Sequence, residues 1–402
     1  MDLELLAPQD SLSFPSGFRW GASTSAHQIE GGNTNNDWWR LEHSGTPAIT
    51  EVSGDACDSY HRWPEDLDLV ASIGLNTYRF SLEWSRIEPA RGEFSRAALD
   101  HYRRVIDGCR DRGLSVALTL HHFTLPGWLA DSGSWLAPDS VELFERYCET
   151  VLPLCGDGVD SVCTINEPNI VAAQSDMGQA RPAVGLPAPH QGVADALLEA
   201  HDRVRHMIRA NADVAVGWSV ANQAVAADEG CELQAEAYRY DREDQFLELA
   251  RDDDYIGVQA YTRTLVGPHG AYDGASDAPR TLTNWEYYPD ALADAVRHAW
   301  SFTEHTPILV TENGIATDDD TRRIAYTQGA LAGLHGCITD GVDVRGYLHW
   351  SLFDNFEWFL GYRPTFGLVA VDRSTFVRTP KPSAYWLGSI ARANALPGLP
   401  RT

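Results

Sequence analysis

The chain has 402 residues and a formal net charge of -26, so nucleic acid and anionic membrane surfaces are poor partners for it. Hydrophobic residues make up 44% and charged residues 22%, the balance of a soluble globular protein. The 13 Trp, 15 Tyr and 13 Phe are compatible with core filling and equally with stacking on sugar rings.

The N-terminus, Met1 to Leu6, is acidic and lacks the basic start and apolar stretch of a signal peptide. Seven cysteines, an odd number without metal-type C-x-x-C spacing, indicate a reduced compartment, so a cytoplasmic location is expected. No apolar run reaches membrane-spanning length. Lys381 is the only lysine.

In chain order, strands are predicted at Phe18–Ser23, Thr77–Ser81, Ser115–His121, Ser161–Asn166, Val214–Val220, Tyr255–Tyr261, Pro307–Thr311 and Val344–Trp350. Helical patterns fall between them at Pro64–Ile73, Ser95–Arg112, Pro138–Leu154, Gly192–Ala210 and Tyr288–His305. Near-continuous apolar strands alternating with amphipathic helices indicate a parallel sheet covered by helices. Eight units predict an α/β fold, a single (β/α)8 barrel over residues 1–402, with its active site at the C-terminal ends of the strands. The acidic triplets Asp252–Asp254 and Asp318–Asp320 are expected in solvated loops.

Two of those strand ends carry a glutamate. One motif is Thr164-Ile165-Asn166-Glu167-Pro168; the other is Val310-Thr311-Glu312-Asn313-Gly314. Pro168 biases Glu167 toward extended backbone, and Asn313-Gly314 reads as a turn. Two carboxyls on the rim of one barrel suit glycosidic bond cleavage, one protonating the leaving oxygen and the other attacking the sugar carbon.

Six blocks taken together carry a resemblance. Beyond the two glutamate motifs there are Phe18 to Gly31, Tyr78-Arg79-Phe80-Ser81, His121 to Pro126 with Tyr261, and Leu348 to Trp358. In this order they resemble the retaining β-glycosidases of glycoside hydrolase family 1, from about Phe14 to Trp386. The resemblance implies Glu312 as nucleophile and Glu167 as acid/base, with carboxyls roughly 5–5.5 Å apart. It implies Arg79 and Tyr261 as the groups that orient the nucleophile and keep it ionised. Gln28, His122, Asn166, Glu357 and Trp358 match binders of sugar hydroxyls. Trp350 matches the platform under the ring, Trp285 the leaving-group wall, and Phe366 a further substrate contact. No metal and no cofactor is implied; the partner is a small β-glycoside. An oligomer is compatible with the sequence but not legible in it.

The chain departs from the family pattern in places. His122-Phe123-Thr124-Leu125-Pro126 stands for H-W-D-L-P and loses an indole donor. Gln259-Ala260-Tyr261 stands for N-Y-Y. His349 replaces an apolar residue and should point away from the sugar. The chain is short after the fourth strand and between Ser219 and Asp254, which predicts a wide leaving-group side favouring aryl or alkyl aglycones over a second sugar.

The expected activity is hydrolysis of β-glucosides, with galactosides and fucosides as further substrates. Two alternatives share the scaffold: a transglycosidase and a 6-phospho-β-glycosidase. The run Gly361 to Gly367 lacks the Ser-Lys-Tyr phosphate grip of the latter. A sugar-binding protein with a dead site is disfavoured by the two intact glutamates.

Overall fold

A computed structural model describes residues 11–174, 185–272, 274 and 277–397. Eight parallel strands close into a barrel in sequential order. They are β1 (Arg19–Ser23), β2 (Thr77–Ser81), β3 (Ser115–His121), β4 (Ser161–Asn166), β5 (Ala215–Ala221), β6 (Tyr255–Gln259), β7 (Ile308–Asn313) and β8 (Val344–Trp350). Strands β2, β3, β4 and β8 have the bounds expected from the sequence. Strand β6 stops at Gln259, so Tyr261 lies just beyond its end, and β7 runs on through Glu312 to Asn313.

Each strand is buried on both faces because helices cover the outside. In Arg96–Asp111, capped by Ser95 accepting from the Ala98 N–H, the buried residues Ala98, Tyr102, Val105, Ile106 and Cys109 recur at helical spacing. The same spacing places Val193, Ala194, Leu197, Ala200, Val204 and Ile208 inward from Gln191–Asn211. The helix expected from Pro64 starts earlier, at Ser59, and carries Pro64 inside it. Inside the barrel, Ala117, Tyr255, Leu309 and Leu348 pack as one layer.

The acidic triplets are solvated only in part: Asp252, Asp318 and Asp319 are exposed, whereas Asp253, Asp254 and Asp320 are drawn into the fold. Asp253 is buried and accepts from Arg205 and pairs with His201; Asp254 accepts from the Val216 N–H and Arg209. Asp319 caps the helix Asp320–Thr339, and Asp320 receives Ser383 and Arg323. Both triplets act as helix and strand anchors, which satisfies backbone donors that a loop would leave to water. All seven cysteines are buried and free. Among the described residues no helix is long and apolar enough to cross a membrane.

The connections from β5 to β6 and from β6 to β7 form a small sheet of Val225–Ala227, Thr264–Gly267 and Gly270–Tyr272. It stands beside the C-terminal face. Part of the shortened segment after β4 lies outside the described residues.

Candidate active site

The two glutamates arrive at the C-terminal face by the same device. Against β5, strand β4 has one residue too many: Cys163 faces Gly217 and Asn166 faces Ser219. Against β6, strand β7 also has one too many: Val310 faces Val258 and Glu312 faces Gln259. Such bulges break the strict in-out alternation and re-aim a side chain. Glu312 is thereby turned toward Arg79 of β2, across the barrel. Glu167 follows its bulge with a φ of 48°, a left-handed conformation rather than the extended one expected before proline. Its N–H is held by the Ser219 carbonyl at 2.7 Å, and Pro168 opens the helix Pro168–Gln174. Backbone of this kind persists only when its surroundings fix it.

The Asn313-Gly314 turn does not form either. Asn313 ends β7 fully buried, donating to the Ala260 carbonyl at 2.6 Å and accepting from Tyr347 Oη at 3.0 Å. At Gly314 an added Cβ would sit 2.0 Å from the Trp350 carbonyl oxygen. Only glycine lets the ends of β7 and β8 come this close.

Arg79 is the hub. Its Nη1 donates to Glu312 Oε1 at 2.6 Å and its Nη2 to Asn166 Oδ1 at 2.5 Å. Tyr261 donates to the other oxygen of Glu312 at 2.7 Å. Gln259 Nε2 donates to Asn166 Oδ1 at 2.8 Å. Because that oxygen accepts from two donors, Asn166 presents its Nδ2 to His122 Nε2, 3.2 Å away. His122 therefore carries its hydrogen on Nδ1, which is buried and has no protein partner. Burial, reinforced by Arg79, holds the His122 pKa well below the ordinary value, so the ring is neutral.

Both glutamates have raised pKa values, with burial as the leading cause. For Glu167 the charge of Glu312 adds to burial, and the value lies well above the ordinary carboxyl range. For Glu312, Arg79, Tyr261 and Gln259 pull the other way and leave a smaller rise. Glu312 is thus not held below the ordinary carboxyl value despite Arg79, because sealing it from water outweighs its cation. The order of the two survives: Glu167 holds a proton more tightly than Glu312.

A third carboxyl, Glu357, completes the set. It accepts from Trp350 Nε1 at 3.2 Å, Asn355 Nδ2 at 3.3 Å and Gln28 Nε2 at 3.4 Å. Gln28 is itself fixed by Ser25 Oγ and the Phe356 carbonyl, both at 2.6 Å. Burial raises the Glu357 pKa well above the usual range. Trp358, at a φ of 54°, joins His122 and Phe123 in one aromatic group.

On the other side, Trp350 packs with Phe366 and Ala316, flanked by Tyr261 and Leu282. Trp285 stands over this group, 5.6 Å from the Tyr261 ring and 6.2 Å from Phe366, with 38% of its surface exposed. Phe359, next to Trp358, packs edge-on against Trp38 at 4.8 Å. His349 is buried beside Tyr347 on the outer face of β8, as alternation requires.

The structure thus gathers Glu167, Glu312, Arg79, Tyr261, Asn166, His122, Gln28, Glu357, Trp358, Trp350, Phe366 and Trp285 at one face. Ser25, Asn355 and the donating role of Gln259 were not singled out from sequence. Ser25 had a signal, its spacing of three residues from Gln28 on one helical turn; Asn355 had none. Among the described residues, Glu243, Asp244 and His298 are the one acidic and histidine group close enough to hold a metal ion. Each already has a protein partner: Asn222 on Glu243, and His298 on Asp244.

Residues 10–250 and 249–396 match the profile of glycosyl hydrolase family 1. The chain is 30% identical to "Beta-glucosidase A" of Thermotoga maritima, with 95% of this chain and 98% of that protein covered. That alignment spans 444 positions, more than the 402 residues here, so this chain carries gaps along it. It is 30% identical to "Beta-galactosidase" of Sulfolobus acidocaldarius, with 96% of each covered. The solved structure of a beta-glycosidase from Pyrococcus horikoshii superposes with a TM-score of 0.89 at 34% identity, covering 97% of this chain and 99% of that one.

Proposed function

The chain belongs to glycosyl hydrolase family 1 and is a glycoside hydrolase, and from that premise we propose that it cleaves β-glucosides with retention, preferring aryl or alkyl aglycones. The observation that carries this reading is the asymmetry between its two glutamates. Glu312 is gripped by a guanidinium and a phenol, whereas Glu167 faces the Glu312 charge and has neither grip.

In the first step the Glu312 carboxylate attacks the anomeric carbon. The bond to the leaving oxygen breaks, its electron pair goes to that oxygen, and Glu167 supplies the proton. In the second step Glu167, now a base, takes a proton from water. The resulting oxygen attacks the same carbon and frees Glu312. Two displacements restore the starting configuration, and the carboxyls are required about 5–5.5 Å apart. Arg79 and Tyr261 hold Glu312 in line and take up the charge that returns to it.

The glycone is a neutral hexose in this proposal. Gln28, His122, Asn166, Glu357 and Trp358 supply donors and acceptors for hydroxyls. The unpartnered Nδ1 of His122 is a donor waiting for one. The absence of a Ser-Lys-Tyr grip from Gly361 to Gly367 speaks against a 6-phosphorylated sugar. Trp350 lies beneath the ring, and Trp285 with Phe366 forms the apolar leaving-group side. The catalytic unit is the one barrel. Seven buried free thiols support a reduced, cytoplasmic setting.

A rate survey over nitrophenyl β-glucoside, galactoside, fucoside, xyloside and 6-phosphoglucoside tests the proposal, with an added alcohol acceptor reporting any transfer. The β-glucoside is expected to give the highest kcat/KM. A preference for the phosphorylated sugar overturns the glycone assignment.

A further inference from the structure

Trp358 lies against a ring that no substrate touches. His27, just beyond β1, is parallel to it within 7°, with centroids 5.6 Å apart. His27 has no exposed side-chain surface and both of its nitrogens are engaged. We propose that His27 is a positioning residue that sets the angle of the Trp358 indole and, through it, the hold on the glycone. This deepens the reading above and rests on Trp358 binding the sugar.

The ring of His27 is locked from two sides. Asn36 Oδ1 accepts from the Trp39 N–H at 2.8 Å, capping the helix Asp37–Glu42. The cap fixes which way the amide points, so Asn36 Nδ2 donates to His27 Nδ1 at 2.9 Å. The hydrogen of the imidazole is consequently on Nε2, and it is given to Glu42 Oε1 at 2.8 Å. The ring has no freedom to flip without losing both bonds.

The clamp then returns to the loop that carries Trp358. The second oxygen of Glu42 accepts from the N–H and the Oγ of Ser53, both at 2.8 Å. The Ser53 carbonyl accepts from Tyr362 Oη at 2.5 Å, and the Tyr362 ring packs on Phe356. Residues 356 and 362 bracket Trp358. A circuit through His27, Glu42, Ser53 and Tyr362 therefore holds both the face and the flanks of one indole.

The indole needs such support. A tryptophan in left-handed backbone is an unusual residue for that region and stays there only where its surroundings over-determine it. Beyond Trp358 the parallel rings continue. His122 lies within 17° of the indole plane, and Trp350 lies within 20° of His122. His27 is the buried outer member of this series, and the sugar-facing members follow from it.

The test is a double-mutant cycle on nitrophenyl β-glucoside. His27→Gln keeps a donor for Glu42 and an acceptor for Asn36 but removes the ring face. It is expected to lower kcat/KM roughly three- to tenfold, the scale of one aromatic contact, with the melting temperature read alongside. Trp358→Phe is expected to lose more. The double variant is expected to be no worse than Trp358→Phe alone, because the role of His27 runs through that indole. Should His27→Gln fold poorly, Glu42→Gln weakens the same clamp and is expected to show a smaller loss with the same non-additivity. Losses that multiply, or a His27→Gln enzyme at wild-type kcat/KM beside an impaired Trp358→Phe, overturn the proposal and leave the glycone reading standing. A Trp358→Phe enzyme with unchanged kcat/KM removes the glycone reading of Trp358, and the role of His27 with it.

Discussion

Arg79 and Glu312 meet at 2.6 Å with both side chains sealed from solvent. A buried ion pair contributes little net stability, since desolvation cancels most of the attraction. Its value here is chemical: the cation holds one carboxylate oxygen while Tyr261 holds the other. Glu312→Ala is therefore expected to lower kcat by about 10⁴-fold or more. Glu167→Ala should keep slow turnover on activated aryl glucosides and regain rate when azide is added. NMR of the first product should show the retained anomer, and an inverted one would refute the assignment of roles.

The pH profile follows from the two raised glutamates. Glu167 must be protonated to act, so activity falls as pH rises through its elevated pKa. Glu312 must be ionised, so activity falls as pH drops through its own smaller rise. A bell is expected, with both limbs belonging to the coupled pair. Glu167→Gln, assayed on a dinitrophenyl glucoside so that turnover stays measurable without the acid, should lack the alkaline limb seen for wild type on glucosides with poorer leaving groups and keep the acid one. Persistence of the alkaline limb would assign it to another group.

Glu357 receives Trp350, Asn355 and Gln28, and in the proposed site it faces sugar hydroxyls. Glu357→Ala should cost about 1.5–3 kcal/mol of transition-state stabilisation on glucosides, the range for a hydrogen bond to a charged group. The loss should shrink on a substrate lacking the hydroxyl that Glu357 contacts. Comparing kcat/KM on the parent and on deoxy-glucosides measures it. A uniform loss across all of them would mean that Glu357 is structural.

The Trp285 face is open, and aromatic stacking is worth about 0.5–1.5 kcal/mol beyond area burial. Trp285→Ala should weaken aryl glucosides selectively and spare methyl glucoside. Aryl glucosides should also exceed cellobiose in kcat/KM. Equal losses on methyl and aryl substrates would reduce Trp285 to loop packing.

His121 is buried edge-on against Trp135 and Phe144, neither ring nitrogen has a protein partner, and burial pulls its pKa down to about 3. Below about pH 6.5 the unfolded chain takes up a proton there that the folded chain refuses. That contribution to stability is fully present above pH 6.5 and is lost as pH falls toward the folded value. The stability of His121→Phe relative to wild type should therefore improve by about 1.4 kcal/mol per pH unit between pH 6 and 4. Denaturant melts at several pH values give the slope, and a flat difference would contradict the burial of a neutral ring.

Much of the scaffold was legible because parallel strands buried on both faces read as apolar runs. Ser161–Asn166 and Val344–Trp350 could be bounded to the residue for that reason. The local conformations at the two glutamates were not legible. Proline statistics favour extended backbone at residue 167, but the Ser219 carbonyl and the bulge in β4 impose another conformation. Asn313-Gly314 has the composition of a turn, yet Asn313 is consumed by bonds to Ala260 and Tyr347 that only the closed barrel brings within reach. The candidate site residues were found through motif blocks. Their partners, such as Asn355 on Glu357, depend on loop geometry that no spacing announces.

The surplus residue in β4 and in β7 has a consequence for anyone reshaping this barrel. Regularising a sheet is a common route to a sturdier protein, and here it would work against the chemistry. Deleting one residue from β7 ahead of Glu312 would restore even pairing with β6 and turn every following side chain to the opposite face. The nucleophile would then point into the helix layer. A transplanted pair of glutamates on an ideal barrel would fail for the same reason unless the two irregularities were transplanted with them.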